Sequence, residues 1–168
     1  MRRLILAGTA ASLILIGMPP SAAAPEPSQE RVKRGEYLVA IMDCTGCHTP
    51  GAMVGQPDQA RFLGGSGVGF QLPGFGIVYP PNLTPDPETG LGRWSAAEII
   101  TAVRTGVRPD GRVLAPVMPY HSYGRLTDAD AQALAAYLKT LTPVRHQVPP
   151  LTGPTEKPTA PYLTVVTP

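Results

Sequence analysis

The sequence predicts an all-α domain of about three to four helices joined by long irregular loops. Three observations predict it. Apolar residues recur at helical spacing in three separate stretches, two of them opened by helix-capping residues. Gly (18) and Pro (21) are abundant and fall mainly between those stretches. Charged residues make up 15% and hydrophobic ones 43% of the 168 residues, enough for one modest core and unlike a coiled coil. No internal repeat is visible.

Residues 1–23 read as a secretory signal. Arg2 and Arg3 form a basic start, Leu4 to Met18 an apolar run, and Ser21-Ala22-Ala23 a small-residue cleavage site. The run is shorter than the ~20 residues of a spanning helix. The alternative is an uncleaved anchor. Cleavage after Ala23 removes two arginines from 14 Lys+Arg, leaving 12 against 12 Asp+Glu, so the mature chain is formally neutral. That balance, with no Lys/Arg cluster interleaved with aromatics, gives no sign of nucleic-acid binding.

Residues 24–28 are a polar lead-in, 29–143 the predicted domain, and 144–168 a Pro-rich extended tail. The first helix is expected over Gln29 to Asp43, with Val32, Tyr37, Leu38, Ile41 and Met42 apolar. Gly35 inside it marks either a place where another backbone crosses closely or a tolerated glycine near the helix start. From Thr49 to Gly92 the composition forbids helix and suits a long ordered loop with a short hairpin near Phe70 to Val78. Ser95-Ala96-Ala97-Glu98 is a capping box, and its helix runs to about Thr105 before Gly106. Thr127 opens the last helix, with Asp128 and Asp130 in its first turn and Leu134, Tyr137, Leu138 and Leu141 on one face. Thr142-Pro143 ends it.

Both cysteines of the chain, and one of its 3 histidines, fall in Cys44-Thr45-Gly46-Cys47-His48. A disulfide over so short a loop restrains little of the unfolded chain. A thioredoxin-like redox pair expects a preceding strand, and here a helix precedes. Zinc wants four ligands, and no second cysteine pair exists. Covalent haem attachment is the pattern C-x-x-C-H serves. Each thiol adds across one vinyl group of the porphyrin, and His48 ligates the iron. Export suits this, because such haem is attached outside the cytoplasm.

The opposite face of the iron has four candidate ligands: Met118, His121, Met53 and His146. Met53 is too near the attachment motif to reach the far face easily, and His146 lies at the root of the tail. Met118 sits between Pro116 and Pro119, which stiffen its loop. It is the preferred ligand, with His121 its rival. Two filled axial positions leave the iron no open site, so the haem would exchange single electrons.

In order and spacing of these features the sequence resembles the class I c-type cytochromes. NLTPDPETGLGRWSAAEIITAVRTGVRPDGRVLAPVMPYHSYGRLTDADAQALAAYL looks in particular like one haem unit of the cytochrome c subunits of bacterial membrane-bound alcohol and gluconate-type dehydrogenases. With the haem motif, the resemblance covers about Val32 to Leu141. It implies a cytochrome c-like core around one haem c, in which the first and last helices cross at Gly35, Tyr37, Tyr137 and Leu138. It implies that Asn82 and Thr84 lie against the haem, and that Arg93, Trp94 and Arg108 hold its propionates or cover its edge. Those subunits carry three haem units, whereas this sequence holds one such motif. The function implied is a periplasmic monohaem electron carrier and not an enzyme in itself. Its donor would be a periplasmic dehydrogenase and its acceptor a terminal oxidase or other respiratory acceptor. Membrane contact would come only through partners or an uncleaved signal. The competing reading is a haem catalyst or gas sensor with an open or displaceable distal ligand.

Overall fold

The computed structural model describes residues 27–167, so the expected signal at 1–23 lies outside the described residues. Among the described residues there are five α-helices and one three-stranded sheet. The fold is therefore mixed, where the sequence predicts an all-α domain of three to four helices. A short hairpin is expected from the sequence; the additional helices and the third strand are too short to leave a periodic signal.

Helix α1 spans Gln29–Ile41 and opens at Ser28, whose hydroxyl accepts from the Arg31 N–H. It buries Gly35, Leu38 and Val39. Tyr37 and Ile41, expected on the apolar face, are 53% and 58% exposed. The buried stripe is narrow because one helix, α5 (Asp128–Thr140), supplies most of what covers it. Tyr37 stands off that stripe, with the Arg34 guanidinium 5.3 Å from its ring centre. The crossing itself is where Gly35 places it. A Cβ there would run into the Ala133 carbonyl oxygen and lie 2.6 Å from Tyr137 Cβ. Across the same interface Arg34 Nε pairs with Asp130 at 2.8 Å.

After α1 the chain turns sharply at Asp43, which adopts the left-handed conformation at φ 51°. Its carboxylate accepts from the Gly46 N–H and caps α2, Cys44–His48. Two 3-10 turns follow, at Ala52–Val54 and Gln59–Arg61. Strands β1 (Gly69–Leu72) and β2 (Gly76–Val78) then form the expected hairpin, with Phe70 opposite Val78 and Leu72 opposite Gly76. Strand β3 (Tyr162–Leu163) adds in parallel to the other edge of β1. The tail beyond α5 is docked on the domain, through β3 and the Ile77–Thr152 bridge.

Helix α3 spans Ala96–Thr105 and carries the full capping box of Ser95 and Glu98. Gly106 closes it at φ 77°. The four-residue α4, Tyr120–Tyr123, follows Pro119. Thr127 caps α5, which buries Ala131, Ala133, Leu134, Ala135 and Leu138. The core gathers Leu38 and Val39 of α1, Leu63 and Leu91 of the loops, Ile99 of α3, and the buried face of α5.

Candidate haem site

The single turn of α2 decides the geometry of the motif. Residues three and four apart share one helix face, so Cys44, Cys47 and His48 present their side chains together. All three line one cavity of about 400 Å³, within the size range of cofactor sites. Its walls are largely apolar: Leu91, Ile99, Ala102 and Val103 on one side, Leu134 and Leu138 of α5 on another.

The state of each chemical group follows from its surroundings. The two cysteines are free thiols. Burial pushes the Cys44 thiol up to about 11 and raises Cys47 as well, so both are neutral at ordinary pH. His48 is buried, and burial lowers its pKa, partly opposed by a hydrogen bond to Pro81. That bond joins His48 Nδ1 to the Pro81 carbonyl oxygen at 2.8 Å. A carbonyl only accepts, so Nδ1 carries the proton and Nε2 keeps its lone pair. The arrangement is that of a metal-ligating imidazole oriented by its other nitrogen.

Met118 lines the same cavity. His121, the rival ligand, is exposed and stacks beside Tyr120, outside the lining. Met53 and His146 are also outside it; His146 Nδ1 lies 2.7 Å from the Gly64 carbonyl oxygen. Of the four candidates, only Met118 therefore faces the space that His48 faces. Two half-buried thiols, an unprotonated imidazole nitrogen and a thioether around an apolar cavity form a donor set that fits covalently attached haem.

The remaining expected residues divide. Asn82 lines the cavity, but its polar atoms serve the loop. Its amide donates to Thr89 Oγ1 at 3.0 Å and to the Val144 carbonyl at 2.6 Å, and its oxygen accepts from Thr84 N and Oγ1. Thr84 is fully buried behind Asn82 and is not in the lining. Trp94 lines the cavity, and the Arg108 guanidinium sits 5.3 Å from its ring centre. Lys139 Nζ donates to the Trp94 carbonyl at 2.8 Å, fixing it to α5. Arg93, expected at the haem edge, is exposed and outside the lining, because it precedes the α3 cap on the solvent side. Arg108 and Arg112 line the cavity instead.

Sequence reasoning missed Arg112, Tyr123 and the tail residues 147–151, all of which line the cavity. Arg112 lies in RPDGR, inside the stretch that carries the family resemblance. Tyr123 donates its hydroxyl to the Met42 carbonyl at 2.8 Å and so ties α4 to the end of α1. No spacing rule reaches across that separation.

Comparison with known proteins bears on the same residues. The Cytochrome c family model matches residues 32–142. The chain is 44% identical over 122 residues to a component of the nicotinate dehydrogenase of Pseudomonas putida, covering 73% of this chain and 10% of that protein. It is 37% identical over 156 residues to the cytochrome c subunit of the quinone-dependent alcohol dehydrogenase of Komagataeibacter europaeus, covering 93% of this chain and 30% of that one. A fructose dehydrogenase cytochrome subunit of Gluconobacter japonicus matches at 37% over 144 residues, 86% of this chain and 26% of that protein. The chain thus spans less than a third of the length of each of these relatives. It belongs to the cytochrome c family, as an electron-transfer domain related to the cytochrome subunits of dehydrogenases.

Proposed function

We propose that the chain is a periplasmic monohaem c-type cytochrome that shuttles single electrons from a periplasmic dehydrogenase to a terminal oxidase or other respiratory acceptor. The observation that carries this reading is the convergence of Cys44, Cys47, His48 and Met118 on one apolar cavity. The presence of one C-x-x-C-H in the sequence supports one haem. The signal-like residues 1–23 support export. The names of the relatives support a dehydrogenase as donor.

Bound haem supplies one reversible change in the oxidation state of iron. Cys44 and Cys47 would hold it by two thioethers. His48 would offer its Nε2 lone pair to the metal, its ring fixed by the Nδ1 bond to the Pro81 carbonyl. Met118, which lines the same cavity, would offer its sulfur to the metal, and a thioether ligand favours the reduced state relative to a second histidine. Leu91, Ile99, Leu134 and Leu138 keep water from the ring.

The test is made on the full chain, produced in a host able to attach haem. Its intact mass is expected to rise by one haem that acid-acetone does not extract. Mixed with a periplasmic quinone-dependent alcohol dehydrogenase and alcohol, the ferric protein is expected to become ferrous. A colourless protein of unmodified mass contradicts the haem reading. A haem-loaded protein that no periplasmic dehydrogenase reduces contradicts the donor.

A further inference from the structure

The residues matched to the cytochrome c family end at 142, yet the chain beyond them is built into the cavity. Val144 is held at both backbone groups. Its carbonyl accepts from Asn82 Nδ2 at 2.6 Å and its N–H donates to Thr84 Oγ1 at 3.0 Å. The His146 N–H donates to Thr89 Oγ1 at 3.1 Å, and its Nδ1 lies 2.7 Å from the Gly64 carbonyl. At the far end Thr152 N donates to Ile77 O at 3.0 Å and Ile77 N donates back at 2.8 Å. The domain is shaped to admit this course. Gly76 adopts φ +114°, and a Cβ there would collide with the Thr152 carbonyl oxygen. Gly65 would meet Val148 Cγ1 at 2.5 Å in the same way.

Between these anchors, residues 147–151 form part of the cavity wall. Val148, Pro149, Pro150 and Leu151 contribute apolar surface, and the two prolines hold the segment extended at little entropic cost. The anchors also bear on the iron ligand. His48 Nδ1 is bound to the carbonyl of Pro81, and Pro81 precedes Asn82, whose side chain is the tail's main clamp.

We infer that residues 144–152 are a strap that sets the reduction potential of the haem in this chain. It does so by walling the cavity with apolar side chains and by locking the loop that orients His48. The inference rests on the reading of Cys44, Cys47 and His48 as the haem site. Its sign follows from charge. Ferric haem carries one more positive charge than ferrous haem, and an apolar wall disfavours that charge. Opening the wall to water therefore stabilises the ferric state and lowers the potential.

The test compares haem-loaded full-length protein with two variants: a chain ending at Pro143, and the full chain with Val148→Thr and Leu151→Ser. The readout is the ferrous-to-ferric ratio at a fixed ambient potential, with covalent haem and the methionine-ligated ferric spectrum checked first. The strap account expects the ratio to fall about tenfold in the shortened chain, which is about 59 mV for one electron. It expects a smaller fall in the same direction in the double variant. If the shortened chain fails to load haem, the double variant decides by direction alone. A ratio unchanged in haem-loaded, methionine-ligated variants overturns the strap. Absence of covalent haem in the unaltered chain is a different failure, that of the haem reading itself.

Discussion

Met118 and His48 reach the site by different routes. His48 follows its two cysteines on one helical turn, so the motif alone carries it. Met118 comes from a loop between α3 and α4, and tertiary structure has to bring it round. Met118→Ala is therefore expected to keep both thioethers, lower the potential and let carbon monoxide bind ferrous iron, as a visible spectrum under the gas would report. Unchanged behaviour would remove Met118 from the ligand set. Tyr123 is the second residue on which that loop depends. Burial, reinforced by nearby Cys44, Cys47 and Asp43, pushes its pKa up to about 12, so the phenol remains a neutral donor to Met42 O. Tyr123→Phe keeps the ring and deletes the bond, a loss of roughly 0.5–1.5 kcal/mol. Denaturant unfolding of the ferric protein should show that loss. Imidazole should then displace Met118 several-fold more readily, since 1.4 kcal/mol is about tenfold. Asp86 organises the loop on the other side. Hydrogen bonds from the Thr89 hydroxyl and N–H hold its carboxyl below the usual carboxylate range. Its folded pKa is depressed, so its contribution is present above the unfolded pKa and is lost as pH falls through the folded one. Asp86→Asn is expected to be less stable at neutral pH, with the gap to the unaltered protein closing in acid. A gap that persists at low pH would remove the charge from the explanation.

At the scale of elements, the contact between α1 and α5 organises everything else. Gly35 permits it. Gly35→Ala forces the two backbones apart and is expected to cost about 1–3 kcal/mol, read as a lowered unfolding midpoint in the haem-loaded protein. A midpoint equal to that of the unaltered chain would mean that the helices have room to spare. This crossing, and the ends of α3 and α5, were legible in the sequence because caps and a mid-helix glycine are local signals. The burial of α1 was legible only in part. Tyr37 and Ile41 fit a helical period, but a period does not say how wide the covered stripe is. The short helices α2 and α4, of 5 and 4 residues, were not legible as helices at all. Each is a single turn, and a single turn has no periodicity.

At the scale of the molecule, the parts distant in sequence are those that sequence reading could not join. Strand β3 has two residues and pairs with a strand far upstream. The tail's course over the cavity depends on hydrogen bonds to its backbone groups, several of them from the Asn82, Thr84 and Thr89 side chains, which no pattern within the tail announces. Arg93 and Arg108 show the same limit, since only the fold decides which arginine turns inward. What the sequence carried plainly was the chemistry: two thiols and an imidazole at a spacing with one main use. The fold adds that Met118, and none of the rival ligands, shares their cavity. The central claim is thus a haem held covalently and ligated by His48 and Met118. The ferric absorption spectrum of the full, haem-loaded chain tests it most directly. A low-spin spectrum with the weak long-wavelength band of methionine-to-iron charge transfer is the predicted result. A high-spin spectrum, or a low-spin one without that band, would contradict it.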